Sequence, residues 1–387
     1  MANEAPSLSI RTELHRLAEF LDGQVPTLTL YLDARGQDQH QREAIRTFVR
    51  RGLSETRRTW RGPAPGGASL EADLARVERY VEELTARGAG GRAPGIALFA
   101  CAAKDLFLDL RCPVPFRNQF GVAPGPLLAQ LSRLADEYEP ALVALVDTES
   151  ARIFTSALGG VLSEMDLASE VPGRHKQGGW AQGRYQRHIR AHRDEHHKAV
   201  AAVLAEGLNG QGIPHLILGG PRQAQLNVRR FLPAGLQARI VGELDLPLRS
   251  AAARIQEAVR ASLQAWERRQ EARAVRDLLD RAANPAQAAL GLADTVAAVN
   301  RRAVHLLLVA DRFAGVGWAC GACGHLQATA VLACPRCRGE LGSAELREAL
   351  VAAALGAGGE VEWVAAQPGL ERAGGVGALL RPPRGNR

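Results

Sequence analysis

Gly178-Gly179-Trp180-Ala181-Gln182 lies within the longer run His175-Lys-Gln-Gly-Gly-Trp-Ala-Gln-Gly-Arg-Tyr-Gln-Arg-His-Ile-Arg190, and the rest of the chain is best read outward from it. Two glycines open the backbone to conformations closed to other residues, positive φ among them. A cationic segment surrounds the tip. Between Arg174 and Lys198 stand Arg174, Lys176, Arg184, Arg187, Arg190, Arg193 and Lys198, against only Asp194 and Glu195. Five of the ten histidines (His175, His188, His192, His196, His197) share that window. Such a segment attracts a polyanion in a salt-dependent way; the plain alternative is a solvated basic helix. A flexible tip bearing an amide side chain, mounted on a basic helix, suits delivery of a small polar group into RNA.

The loop resembles the central-domain loop of the archaeo-eukaryotic class-1 peptide release factor superfamily, in which Gly-Gly-Gln precedes an Arg-Phe-x-Arg helix. The ungapped match is Gly178, Gly179, Arg184, Tyr185 in the place of Phe, and Arg187. Trp180 stands at the family's glutamine position, and Gln182 follows two residues later. Gly179-Trp180-Ala181-Gln182 fits the Gly-x-x-Gln loop of divergent bacterial and quality-control relatives, in a superfamily that also includes Pelota-like members. The resemblance implies a ribosome-associated peptidyl-tRNA hydrolase that frees nascent chains from stalled or terminating ribosomes. Its partners would be the ribosome, peptidyl-tRNA and ribosomal RNA. It further implies a catalytic loop of Gly178, Gly179 and Gln182, with RNA contacts from Trp180, Arg184, Arg187, Arg190 and Arg193. Trp180 is read either as stacking on a base or as packing within its domain. Ribosomal RNA would position the ester, so no catalytic triad is expected in the protein. Two rival readings stand beside this one. The first is a catalytically silent ribosome- or RNA-binding protein of the same fold, favoured by Trp180 at the glutamine position; the second is a hydrolase of free peptidyl-tRNA.

A chain of 387 residues is too long for one ordinary core, and two or three domains are expected. Hydrophobic content of 46% supports packed globular domains. No uninterrupted apolar run approaches a membrane span; Ala303-Val-His-Leu-Leu-Leu-Val-Ala310 has the length of a buried strand. The start Met1-Ala-Asn-Glu-Ala-Pro-Ser lacks the features of a signal peptide, so a cytoplasmic location and no membrane partner are expected. A formal net charge of +7 points to an acidic partner.

Three mixed α/β domains are expected, at residues 1–135, 138–247 and 248–387. In the first, Val25–Asp33 alternates like a strand, and Ile45, Phe48, Val49 and Leu53 mark one face of a helix. The Gly/Pro-rich stretch Arg61–Ser69 breaks that helix, and Leu70–Arg87 reads as another. Gly95–Ala100 and Asp105–Leu110 read as paired strands. The layout is similar to the N-terminal domain of the release factors, but there is no Asn-Ile-Lys-Ser tetrapeptide, so codon reading is not expected.

The second domain reads as a strand pair, Ala141–Asp147 and Ala151–Thr155, then the Gly-Gly loop on a long basic helix to about Glu206. A strand at Pro214–Leu218, a turn at Gly219-Gly220-Pro221 and a strand at Ala238–Gly242 follow. Gly219-Gly220 lacks a dinucleotide or Walker pattern and is read as a structural turn. The third domain opens with a helix from Ser250 to about Arg281. The run Ala289–Asn300 before a strand at Val304–Val309 is similar to the release factors' C-terminal domain, as are the closing strands near Leu355–Val364 and Gly374–Arg381.

Cys320-Gly-Ala-Cys323 and Cys334-Pro-Arg-Cys337 are two C-x-x-C knuckles ten residues apart. Tetrahedral zinc takes four soft ligands, and each knuckle supplies two from one tight turn, with Gly321 and Gly324 favouring that turn. A structural zinc ribbon over residues 318–341, inserted between the strand near Val309 and a helix near Ser343, is expected. Four protein ligands close the shell, so no metal chemistry is assigned to it. His196 and His197 are read as solvated or phosphate-facing, because adjacent residues on a helix point apart and cannot converge on a metal. Asp33, Arg35 and Glu43 are read as surface charge.

Overall fold

The computed structural model describes residues 6–20, 25–35, 38–60, 64–86, 93–157, 160–168 and 181–382. The chain divides into two compact units: Met1–Ser9 with Glu137–Gln270, and Ile10–Asp136 with Glu271–Arg387. Each is a mixed α/β structure.

The first segment runs α1 (Pro6–Ala18), β1 (Thr27–Asp33), α2 (Gln39–Thr59), α3 (Ala64–Ala86), β2 (Gly95–Cys101), β3 (Leu106–Cys112), β4 (Gln119–Ala123) and α4 (Ala129–Glu137). The strands form an antiparallel sheet in the order β3-β2-β1-β4. Alternation along β1 sends Leu28, Leu30 and Leu32 to one face, where Ile45, Val49 and Leu53 of α2 and Leu74, Val77 and Val81 of α3 cover them. Asp38 caps α2, its carboxylate accepting the Gln41 N–H at 2.8 Å. Helix α2 ends at Thr59, just ahead of the Arg61–Ser69 stretch expected to break it, but the next helix, α3, starts at Ala64, within that stretch, rather than at Leu70. Pro65 is its second residue, a place where the missing N–H would have no intrahelical partner anyway.

The central segment runs β5 (Ala141–Val146), β6 (Ser150–Ala157), β7 (Gly160–Ala168), α5 (Ala181–Gly210), β8 (His215–Gly219), α6 (Arg222–Phe231), α7 (Ala234–Gln237) and β9 (Ile240–Leu244). Its sheet has the order β7-β6-β5-β8-β9, parallel across β5, β8 and β9 and antiparallel across β5, β6 and β7. Leu142, Ala144 and Val146 of β5 pack with Val200, Leu204 and Leu208 of α5 and with Val228 of α6. Ala141, Val143 and Leu145 face the other way, onto Ile255 and Val259 of the next helix, α8 (Ala252–Arg281). Continuous apolar runs in β5 and β8 are the mark of strands buried on both faces.

The last segment continues with β10 (Ala288–Leu290), α9 (Leu292–Asn300), β11 (Val304–Ala310), β12 (Val316–Cys320), β13 (Leu326–Gln327), β14 (Leu341–Glu345), α10 (Leu346–Gly356), β15 (Glu360–Val364), α11 (Pro368–Arg372) and β16 (Val376–Leu380). Four strands form a sheet in the order β10-β16-β11-β15, and β13-β12-β14 form a separate small one. Ser343, expected near the start of a helix, lies on β14 opposite Trp318, and the helix begins at Leu346.

Within their unit the first and last segments are joined by specific polar contacts. The Trp363 backbone N–H donates to Asp136 Oδ2 at 2.8 Å, and its indole N–H to Ser132 Oγ at 3.1 Å. One backbone N–H of edge strand β15 thus finds its partner in α4 rather than in another strand. Arg133 and Asp311 form an ion pair at 3.1 Å. Among the described residues no helix is long and apolar enough to cross a membrane.

Candidate nucleic-acid interface and metal centre

Helix α5 begins at Ala181, two residues after Gly179 in the sequence. Gly178, Gly179 and Trp180 lie outside the described residues. Gln182, Arg184 and Arg187 fall in the first two turns of α5. Further along, Arg190 is exposed and Arg193 half-buried. From His196 onward the helix is docked: Val200, Leu204 and Leu208 are fully buried against β5 and β8. The basic end of α5 is therefore carried on a helix whose second half is fixed in the core.

His196 and His197 are not solvated, as their charged setting had suggested. Their exposures are 2% and 1%. The His197 ring Nε2 lies 3.1 Å from the Asp147 carbonyl oxygen, which accepts its proton, and the two imidazoles sit 5.6 Å apart. Burial pushes both below the ordinary histidine value. The signal was present in the sequence, since His196 and His197 continue the buried stripe of Val200, Ala201, Leu204 and Leu208 by one more turn.

At the carboxyl ends of β5, β8 and β9 the Gly219-Gly220 turn is structural, as expected. Gly220 has φ +107°, and a Cβ there would run into the Val146 carbonyl oxygen. The Gln225 carboxamide donates to the carbonyls of Gly220 at 2.6 Å and Leu244 at 3.1 Å, tying the turn to β9. Elsewhere, Arg35 clamps the Asp33 carboxylate with contacts down to 2.6 Å, and these hold that carboxyl below its usual range; Glu43 pairs instead with Arg46.

The sulfur atoms of Cys320, Cys323, Cys334 and Cys337 lie within 4.8 Å of one another. Cys320 and Cys337 are separated by 3.4 Å, and Cys323 and Cys334 by 3.6 Å. Zinc–sulfur bonds of about 2.3 Å in a tetrahedron put sulfurs about 3.8 Å apart, so the cluster fits a metal ion. The two knuckles repeat one backbone design. Gly324 N–H donates to Cys320 O and Arg338 N–H to Cys334 O, while Cys320 N–H donates to His325 O and Cys334 N–H to Gly339 O. Both turning residues are left-handed, Gly324 at φ +68° and Arg338 at φ +63°. Burial opposes ionisation of Cys334, but backbone N–H groups of Cys337 and Arg336 directed at its sulfur bring the thiol down to about 7. Gly339 leaves room for the ligands: a Cβ would stand 3.3 Å from the sulfurs of Cys320 and Cys337.

A residue whose role the sequence did not show is Asn300, the last of α9. Its carboxamide donates to Leu326 O at 2.8 Å and accepts from Leu326 N–H at 3.0 Å. It pins the strand leaving the first knuckle to the core of the segment. The remaining cysteines, Cys101 and Cys112, are buried and free, and burial pushes the Cys112 thiol up to about 12.

Residues 126–265, which contain the central sheet and α5, match the family described as bacterial archaeo-eukaryotic release factor family 10. The chain is similar to an archaeal translation termination factor, aRF1, at 19% identity over 96% of this chain and 98% of that one, with a TM-score of 0.26. It is similar to Pelota of Archaeoglobus fulgidus at 20% identity over 76% and 80%, TM-score 0.32. Dom34 of S. cerevisiae, a translation termination-like factor, aligns at 12% identity over 73% and 75%, TM-score 0.40. No match is found among functionally curated proteins. The match to a release factor family thus lies in the central segment, about a third of the chain.

Proposed function

We propose that this protein acts on the ribosome in the cytoplasm as a release-factor-type peptidyl-tRNA hydrolase, freeing nascent chains from stalled or terminating ribosomes. The observation that carries the reading is the placement of the Gly178-Gly179 sequence directly before a basic helix, inside the segment that matches a release factor family. In this reading Gly178 and Gly179 let the tip adopt the required backbone, and Gln182 helps position a water molecule through its amide. The water attacks the carbonyl carbon of the ester, the ribose hydroxyl leaves, and the peptide departs as a carboxylic acid. Arg184, Arg187, Arg190 and Arg193 hold phosphates, and Trp180 stacks on a base. The four cysteines hold one structural zinc, which stays outside the chemistry because protein ligands fill its shell.

A test is hydrolysis of peptidyl-tRNA on purified stalled ribosome–nascent chain complexes, with binding followed separately by pelleting. Gln182→Ala is expected to slow release by about tenfold or more, the low end for a positioned polar group, with binding nearly unchanged. Release at the wild-type rate would remove Gln182 from the chemistry. The alternative, a silent ribosome-binding protein, is favoured by Trp180 standing where relatives have glutamine. It would be supported by a wild-type protein that pellets with ribosomes and releases nothing.

A further inference from the structure

Helix α6 carries Arg222, Arg229 and Arg230 and no acidic residue over its ten positions. All three side chains are open to solvent, at 80%, 45% and 60% exposure. Arg229 and Arg230 stand in the last turn, where positive charge complements the helix dipole. Arg222 is the first residue of α6, where positive charge opposes the dipole and no first-turn acid offsets it. Fold stability therefore does not account for it.

A single carboxylate, Glu243 of β9, lies 3.7 Å from Arg222 and 3.4 Å from Arg229. One negative charge shared between two guanidinium groups leaves an excess positive charge and free donors on both forks. Arg230 pairs with Asp194 of α5 at 3.1 Å, so the cationic face of α6 is joined to the stretch of α5 that carries Arg190 and Arg193. Seven residues of helix separate Arg222 from Arg229, about 10 Å along the axis, a span that reaches more than one phosphate of a strand. Between the arginines the positions of the same helix that are not buried are Gln223 and Asn227, both neutral and polar, and the exposed Leu226. Planar guanidinium forks match phosphate oxygens in pairs.

We infer that Arg222, Arg229 and Arg230 of α6 form a second RNA-backbone contact, continuous with the basic part of α5. Phosphates displace the weak surface pairing to Glu243 and Asp194, and the two helices hold the RNA together. The inference rests on the proposed RNA contact of α5 and widens it to a helix that the basic 174–198 window does not include.

The experiment is equilibrium binding of the full-length protein to a fluorescent 16-base-pair RNA duplex across a potassium chloride series. Arg222→Gln/Arg229→Gln/Arg230→Gln is expected to weaken binding at least tenfold near physiological salt and to lower the slope of log affinity against log salt by about 2, at roughly 0.7–0.9 per lost contact. Glu243→Gln frees two guanidinium groups and should tighten binding severalfold, a gain that misfolding cannot imitate. An unchanged slope in the triple variant, with a reduced slope in Arg190→Gln/Arg193→Gln, would overturn the inference and leave the α5 reading standing. Unchanged slopes in both would overturn both. Competition by poly-glutamate as effective as by RNA at equal charge would overturn the assignment to phosphate.

Discussion

Glu348 Oε2, in the first turn of α10, accepts the backbone N–H of Ala129, the first residue of α4, at 3.0 Å. The first N–H groups of a helix have no partner inside it, and a carboxylate there also meets the positive end of the helix dipole. One side chain near the chain's end thus caps a helix more than two hundred residues earlier. Gln119 adds a longer contact to its other oxygen at 3.4 Å. Burial nevertheless raises the Glu348 carboxyl above its ordinary value.

Glu348 should therefore make the unit formed by the first and last segments pH-dependent in a defined direction. Between the ordinary carboxyl value and the raised one, the folded state binds more protons than the unfolded, so stability falls as pH rises through that window and is level above it. Glu348→Gln keeps an acceptor for Ala129 and should abolish the fall. Glu348→Ala should cost about 1–3 kcal/mol at neutral pH by leaving a shielded N–H unpaired. Urea denaturation of the three proteins from pH 4 to 8 checks this; a parallel pH profile for the Gln variant would refute it.

His196 and His197 give the opposite sign. Both are held below the ordinary value by burial, so the folded state binds fewer protons than the unfolded as pH drops below about 6.5. The contribution is present in full above that pH and is lost as pH falls through the depressed folded values. Thermal unfolding of the central unit should become easier from pH 7 to pH 5. Replacing His196 with Leu should flatten the profile even if it lowers the plateau. An undiminished acid slope in that variant would mean other groups carry it.

Metal analysis should find about one zinc per chain, and Cys320→Ser should lose it. Asn300→Ala leaves all four ligands in place but removes two hydrogen bonds to Leu326, at a cost of about 1–3 kcal/mol. Zinc transfer to a chromophoric chelator should then be faster by several-fold or more. Equal transfer rates would show that the ribbon holds its metal independently of α9.

Gly220→Ala should destabilise the central unit by about 2 kcal/mol or more, because a side chain there is strained at φ +107° and collides with the Val146 carbonyl. Gly212, also at positive φ but with open space around it, is the control: its alanine variant bears the backbone strain without the collision. Similar losses at the two sites in denaturant melts would show that contact with β5 adds nothing.

By itself the sequence determined many of the strands and helices and the four-cysteine cluster. Apolar alternation marked β1 and β5, and helical periodicity marked α2, because both report which face is buried. Four cysteines in paired C-x-x-C turns announced a candidate metal cluster since each turn is local. What the sequence left open depends on groups distant along the chain. His196 and His197 extend a stripe legible in the sequence, but their charged neighbours favour solvent until α5 docks on the sheet. Glu348 reads as one more surface acid on a helix until α4 is brought to it, and Asn300 as a helix end until Leu326 is folded back onto it. Pairing partners are chosen by the closing of long loops, and local patterns of hydrophobicity and charge carry no record of which distant backbone group will arrive.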